Sequence, residues 1–217
     1  PQLLRLQTLI EEGCCLLPCG VNKNPLINAW PSSKGLSLQQ LCNYSGVKAV
    51  GLRTGPEDGR IVSVDLDGET ALDKVCEDGL NPYQGTFIVG RRGDTYRLKL
   101  QFQLTPKQAA EITPFQGKIH TKDALNGAKG EAVEMFYSRR RQVIVGGRHP
   151  SGENYFWPDG CGPEALAAPD SQWWEFIKSA KDEEKKTVEA YKTKKKEKAE
   201  KAEKEEKEKA EEKSQIC

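Results

Sequence analysis

The sequence is short of the residues that build most metal and redox centres. Its 217 residues include two histidines, His120 and His149, and one methionine. Seven cysteines are an odd number, and they are irregularly spaced. Cys14, Cys15 and Cys19 lie close together, but no second pair follows at zinc-finger spacing. They read as reduced thiols that serve as small buried hydrophobes in a cytoplasmic protein. No apolar run approaches the ~18 residues of a membrane-spanning helix, so no membrane is expected as a partner. No basic-plus-apolar leader opens the chain. No G-x-x-x-x-G-K-[ST] phosphate loop occurs.

Hydrophobic residues make up 36% and charged residues 30%, too polar an average for one compact globule. The bias is local. From Lys181 onward the chain is almost only Lys, Glu and Ala, with Glu–Lys pairs at helical spacing and no apolar stripe. The expected division is a core over 1–170 and a charged helix or linker over 171–217. The net charge of +1 hides a second asymmetry. Between Gly85 and Tyr155 twelve basic residues face six acidic ones, a local field that attracts polyanions.

Apolar periodicity predicts a helix over Leu3–Glu12, a short strand in CLLPC, and a helix capped by Ser37. Strands follow in VKAVGLRTG and RIVSVDLDG, then a helix over Glu69–Glu77. TFIVG and TYRLKLQF read as strands joined by RRGD. A helix with Pro at its first position spans Thr105–Ile112. FQGKIH, AVEMFY and RQVIVGG read as further strands, the last two forming a hairpin through SRRR. Helices and strands mix without strict βα alternation, which predicts an α+β fold.

The chemistry-bearing motif is IVSVDLDG. On a strand, Ile61, Ser63, Asp65 and Asp67 share one face, while Val62, Val64 and Leu66 face a core. The two carboxylates lie about 6.6 Å apart along the strand. Like charges there need a positive partner, and a divalent cation is one solution. The other is that the strand simply exits into a loop. Glu134, charged on the apolar strand EAVEMFY, would complete a three-carboxylate site for two metals, or else face solvent. In TYRLKL, Thr95, Arg97 and Lys99 share a face suited to phosphate oxygens, while Tyr96, Leu98 and Leu100 are expected to pack. His149, in GGRHPSGENYFW, reads as a hydrogen-bond donor to a phosphate or sugar, or as a turn residue.

The order of these pieces resembles the primase-polymerase (prim-pol) domain of the archaeo-eukaryotic primase superfamily, found in plasmid, phage and bacterial replication proteins. The resemblance runs from LLPCGVNKNPLINAW through VGLRTGPEDGRIVSVDLDG, GRRGDTYRLKLQF and GEAVEMF to RQVIVGGRHPSGENYFW. It implies an archaeo-eukaryotic primase-like core, an αβ unit followed by an RRM-like unit, with Mg²⁺ or Mn²⁺ held in the cleft by Asp65, Asp67 and Glu134. The family's second motif is usually Ser-x-His; here it is Thr95-Tyr96-Arg97. The implied activity is template-directed nucleotidyl transfer. The nucleoside triphosphate would be held by Thr95, Arg97, Arg53 and His149, with Lys23 as a further candidate. Arg139, Arg140 and Arg141, at the expected hairpin tip, would meet the phosphates of a single-stranded DNA template. With no phosphate loop in the sequence, a helicase would act in trans or lie on a missing C-terminal part.

Two other readings compete. DLDGET also resembles the nucleophile motif of haloacid-dehalogenase phosphatases, which need alternating βα units after it. A catalytically silent primase-like module would only bind nucleotide or single-stranded nucleic acid. Convergence of Asp65, Asp67 and Glu134 favours an enzyme; a Glu134 turned away favours a binder.

Overall fold

A computed structural model describes residues 2–83, 85–124 and 130–182. The Lys/Glu/Ala stretch beyond 182, and with it the expected long charged helix, lies outside them. The fold is α+β, with two antiparallel sheets and short helices. The expected first helix is two short ones, α1 (Gln2–Arg5) and α2 (Gln7–Glu11). They precede β1 (Leu16–Cys19), α3 (Leu38–Asn43) and β2 (Ala49–Arg53). Ser37 caps α3 through a capping box with Gln40. Then come β3 (Ile61–Asp67), α4 (Glu69–Glu77), β4 (Phe87–Arg91), β5 (Asp94–Gln103) and α5 (Pro106–Glu111), the last boxed by Thr105 and Gln108. β6 (Phe115–Lys122), β7 (Glu131–Tyr137), β8 (Gln142–Gly147) and β9 (Tyr155–Phe156) complete the strands.

Three strands pair in the order β1-β2-β8 and six in the order β6-β7-β3-β5-β4-β9. Within the larger sheet the chain runs β3-α4-β4-β5-α5-β6-β7, with four of the strands in the order β7-β3-β5-β4 and β6 added at the edge beside β7. β3 is antiparallel to both neighbours, β5 and β7. That removes the phosphatase reading, which needs a parallel sheet built from βα units.

Two cores flank the six-stranded sheet. On one face Val62, Val64, Leu66, Leu98, Leu100 and Met135 pack against Ala71 and Val75 of α4. Helical residues 171–182 lie on the same side, with Trp173, Trp174, Ile177 and Ala180 buried there. The boundary expected at 170 therefore falls short, because this helix carries an apolar stripe that the core covers. Gly117 of β6 admits it closely, since a Cβ there would stand 3.3 Å from the Ala180 carbonyl oxygen. On the opposite face Ile61, Phe87, Val89, Tyr155 and Trp157 pack against the three-stranded sheet and α2. Cys14, Cys15 and Cys19 are buried in this second core as free thiols, and burial pushes all three above the usual thiol range.

The SRRR hairpin does not form. β7 pairs with β3 and β6, whereas β8 pairs with β2 in the other sheet. The intervening residues cross between sheets alongside the β2–β3 connection. Thr54 secures the crossing: its hydroxyl donates to the Ser138 carbonyl at 3.0 Å and its N–H to that of Arg141 at 3.0 Å. Gly55, at φ +114, lets the Arg139 backbone approach where a Cβ would stand 2.7 Å from its nitrogen. Tyr96 also departs from expectation. It is exposed, because β5 projects past the core at that end.

Candidate active site

The face of β3 that carries the acids changes character along its length. Ile61 and Ser63 are fully buried beneath the three-stranded sheet, whereas the Asp65 and Asp67 side chains are 17% and 18% exposed. β5 runs the same gradient opposite, from buried Gln101 to Lys99 and Arg97. The second core thus ends where the charges begin, and the strands leave its rim as an open, polar shelf.

Register fixes what meets on that shelf. Asp65 stands opposite Lys99 on one side and Glu134 on the other, and Asp67 stands opposite Arg97. Directly opposed carboxylates repel, so the pair Asp65–Glu134 needs positive charge nearby. Lys99 ion-pairs with Asp65, Arg97 with Asp67, and Lys118 with Glu134 at 2.6 Å. Arg97 Nε also meets Asp94 at 3.0 Å, and the same Asp94 oxygen accepts from Arg91. Asp94, from the RRGD turn, therefore couples two guanidinium groups. Lys23, Asp65, Asp67, Arg91, Arg97, Lys99, Glu134, His149 and Tyr155 all line one cleft of about 140 Å³.

His149 enters differently from expectation. Its Nε2 lies 3.1 Å from Arg91 Nη1, and its Nδ1 lies 2.7 Å from the Ser151 hydroxyl and 3.1 Å from the Ser151 backbone nitrogen. A guanidinium keeps its protons, so Nε2 accepts from Arg91. Burial first, then the charges of Lys23, Arg91, Lys99 and Arg97, hold the imidazole down to about 4. It is neutral near pH 7 and accepts from Arg91. Tyr155, edge-on to His149, has its hydroxyl pushed up to about 12 by burial and the Asp65 charge.

The sequence-predicted residues divide clearly. Asp65, Asp67, Glu134, Arg97, His149 and Lys23 come together in the cleft. Thr95 is exposed and does not line it. Arg53 is 4% exposed and already engaged: Nε donates to Asp58 at 2.6 Å, and Nη1 to the carbonyls of Trp30 and Ser33 at 2.7 and 2.8 Å. It braces the 30–33 and 54–60 segments and is removed from the nucleotide-binding set. Arg139, Arg140 and Arg141 lie outside the cleft, on the crossing between sheets. Sequence reading placed Lys99 on the phosphate-facing side of its strand but missed Arg91, Asp94 and Tyr155. For Arg91 the alternation of TFIVGR was a usable signal, since it falls on the face of Val89.

Glu131 closes the far end. It accepts from the N–H of Thr70 at 2.8 Å and from its hydroxyl at 3.0 Å, capping α4 from another strand. This holds the turn after Asp67, where Gly68 at φ +134 is required because any Cβ would strike the Glu131 carboxylate.

Three carboxylates and the cations paired with them share one antiparallel shelf, an arrangement that can take up anionic oxygens through charge-assisted bonds. The family model described as bifunctional DNA primase/polymerase, N-terminal, matches residues 6–171, and the chain belongs to that family. At the family level this implies a primase/polymerase-type nucleotidyltransferase connected with DNA replication. No curated protein matches the chain. No helix among the described residues is long and apolar enough to cross a membrane.

Proposed function

We propose that the chain catalyses template-directed nucleotidyl transfer from nucleoside triphosphates on a single-stranded DNA template. The observation that carries this reading is the shared cleft: Asp65, Asp67 and Glu134 project from one sheet face among Arg91, Arg97 and Lys99. We read the three-stranded sheet with its helices as the αβ unit of a primase-like core and the six-stranded sheet with α4 and α5 as its RRM-like unit.

The carboxylates are hard oxygen donors on one face, the donor type that Mg²⁺ and Mn²⁺ take. Lys99 and Arg97 now supply the neutralising charge, on long side chains that can move to an incoming phosphate. Their donor chemistry thus suits a divalent metal, and Asp65, Asp67 and Glu134 would hold it once they turn from their cations. Bound there, it would supply positive charge to the attacking and leaving oxygens.

The protein's own groups do the remaining work. Arg91 and Arg97, coupled through Asp94, present guanidinium forks to the triphosphate. Neutral His149 holds Arg91 in place without adding charge of its own. Lys99 offsets the charge that grows on the leaving pyrophosphate. The transfer forms a bond from the 3′-oxygen to the α-phosphorus and breaks the bond to pyrophosphate. The hydroxyl proton passes to a cleft carboxylate and on to water.

The catalytically silent reading keeps one observation in its favour. Among the described residues no three acidic, histidine or cysteine side chains are arranged as a metal cage, because each of the three acids is turned to a cation. Primer extension and de novo priming with Mg²⁺ and with Mn²⁺, using ribo- and deoxynucleotides, separates the two. The enzyme reading expects incorporation by the wild type and its loss, by at least about a hundredfold, in Asp65→Asn and Asp67→Asn, with the fold retained. Nucleotide binding without incorporation under any condition would establish the silent module.

A further inference from the structure

The open face of the large sheet continues past the cleft onto its edge strand. Register carries the row Asp65–Glu134 across β7 to Lys118 on β6, and the next row pairs Phe136 with Gln116. On β6, Gln116, Lys118 and His120 point to this face, while Phe115 and Gly117 turn to the helix-covered core. Arg141, arriving from the crossing, lies over the Phe136 ring at 5.6 Å and donates from Nε to Gln116 Oε1 at 2.7 Å. Its neighbour Arg139 turns elsewhere, donating to the Pro31 carbonyl at 2.9 Å and approaching Glu57 at 3.6 Å.

The face is cationic. Lys118 and Arg141 stand on it, exposed. Its one acid on β7, Glu134, is matched by Lys118, and Arg141 adds a charge whose side-chain partner is the neutral Gln116. A guanidinium held over a phenyl ring offers a flat, charged surface on which a nucleic-acid base can stack, with Lys118 beside it for phosphates. Two strand spacings separate Asp65 from Lys118, about 10 Å. A strand ending at the cleft would lie across this face.

We propose that the β6–β7 face, with Arg141 at its centre and Lys118 beside it, binds the single-stranded DNA template and leads it into the acidic cleft. The proposal rests on the nucleotidyltransferase reading for the identity of the strand, and it assigns Arg141 and Arg139 different roles. Arg141 engages the template; Arg139 holds the crossing to the first sheet.

The test is fluorescence anisotropy of a labelled oligothymidylate titrated with the full chain, as wild type, Arg141→Ala and Arg139→Ala, over a series of salt concentrations. Circular dichroism confirms that each variant is folded. Arg141→Ala is expected to weaken binding by about tenfold or more and to flatten the logarithmic salt slope by about 0.7, the contribution of one phosphate contact on a single strand. Arg139→Ala stays within about twofold of wild type. Equal losses in both variants, no loss in Arg141→Ala, or no binding by the wild type each overturn the proposal. Primer extension separates this outcome from the catalytic reading. A wild type that extends primers while Arg141→Ala keeps its template affinity refutes the surface and leaves the reading standing. A wild type that binds DNA through Arg141 but incorporates no nucleotide refutes the reading and leaves the surface standing.

Discussion

Lowering the pH from 7 to 4 should destabilise this protein through His149, and the structure sets the size of the effect. Burial and the cations Lys23, Arg91, Lys99 and Arg97 hold the imidazole down to about 4, against an unfolded value near 6.5. The folded state therefore prefers the neutral ring. Its contribution is complete above about pH 6.5 and is lost as pH falls from there toward about 4. A gap of roughly 2.5 pH units, at about 1.4 kcal/mol each, caps the loss near 3.5 kcal/mol. The ring stands in a solvent-open cleft, so screening should reduce this to about 1 kcal/mol. The assay is urea unfolding of wild type and His149→Gln at pH 7.0, 5.5 and 4.5, alongside NMR titration of the imidazole. Both proteins lose stability as carboxylates titrate, but the wild type should lose about 1 kcal/mol more across this window. Nucleotide affinity of the wild type should show no histidine step between pH 6 and 8. An imidazole that titrates near 6.5, or identical pH profiles for the two proteins, would refute the assignment of His149 as a neutral acceptor from Arg91.

Two further outcomes test the scaffold. Arg53→Ala should cost roughly 3 kcal/mol by leaving Asp58 and two carbonyls without their donor, and a variant that melts with the wild type would restore Arg53 as a free ligand. Ile177→Ala, in the helix beyond residue 170, should cost about 3 kcal/mol and lower Tm by about 6–12 °C, whereas deleting 183–217 should shift it little. An unchanged Tm in Ile177→Ala would show that this helix is not part of the core.

Strand alternation is a local property, and it was read directly. The split of IVSVDLDG into an apolar face and an acidic face, and of TYRLKL into Leu98 and Leu100 against Arg97 and Lys99, follows from period-two geometry. Caps were equally legible, because Ser37 and Thr105 bond within their own first turn. The resemblance of the motif order to the prim-pol domain carried the family.

Pairing between distant strands was not legible. AVEMFY and RQVIVGG are four residues apart, yet they enter different sheets, since Tyr137 completes one core and Val143 the other. Local sequence favours a hairpin there; burial of two separate apolar faces decides against it. Nor could sequence show which cations are already engaged. Arg53 and Arg97 both sit on strands and pair with acids, but Arg53 ends under a loop whose carbonyls accept its hydrogen bonds, and Arg97 ends at an open rim. The same holds for His149, whose partner Arg91 lies 58 residues away. The sequence by itself determined which side chains share a face, because that is set by backbone geometry within a few residues. Only the tertiary structure decided which of them face solvent, which are paired and which meet in one cleft, because those outcomes depend on long-range register and on where each core ends.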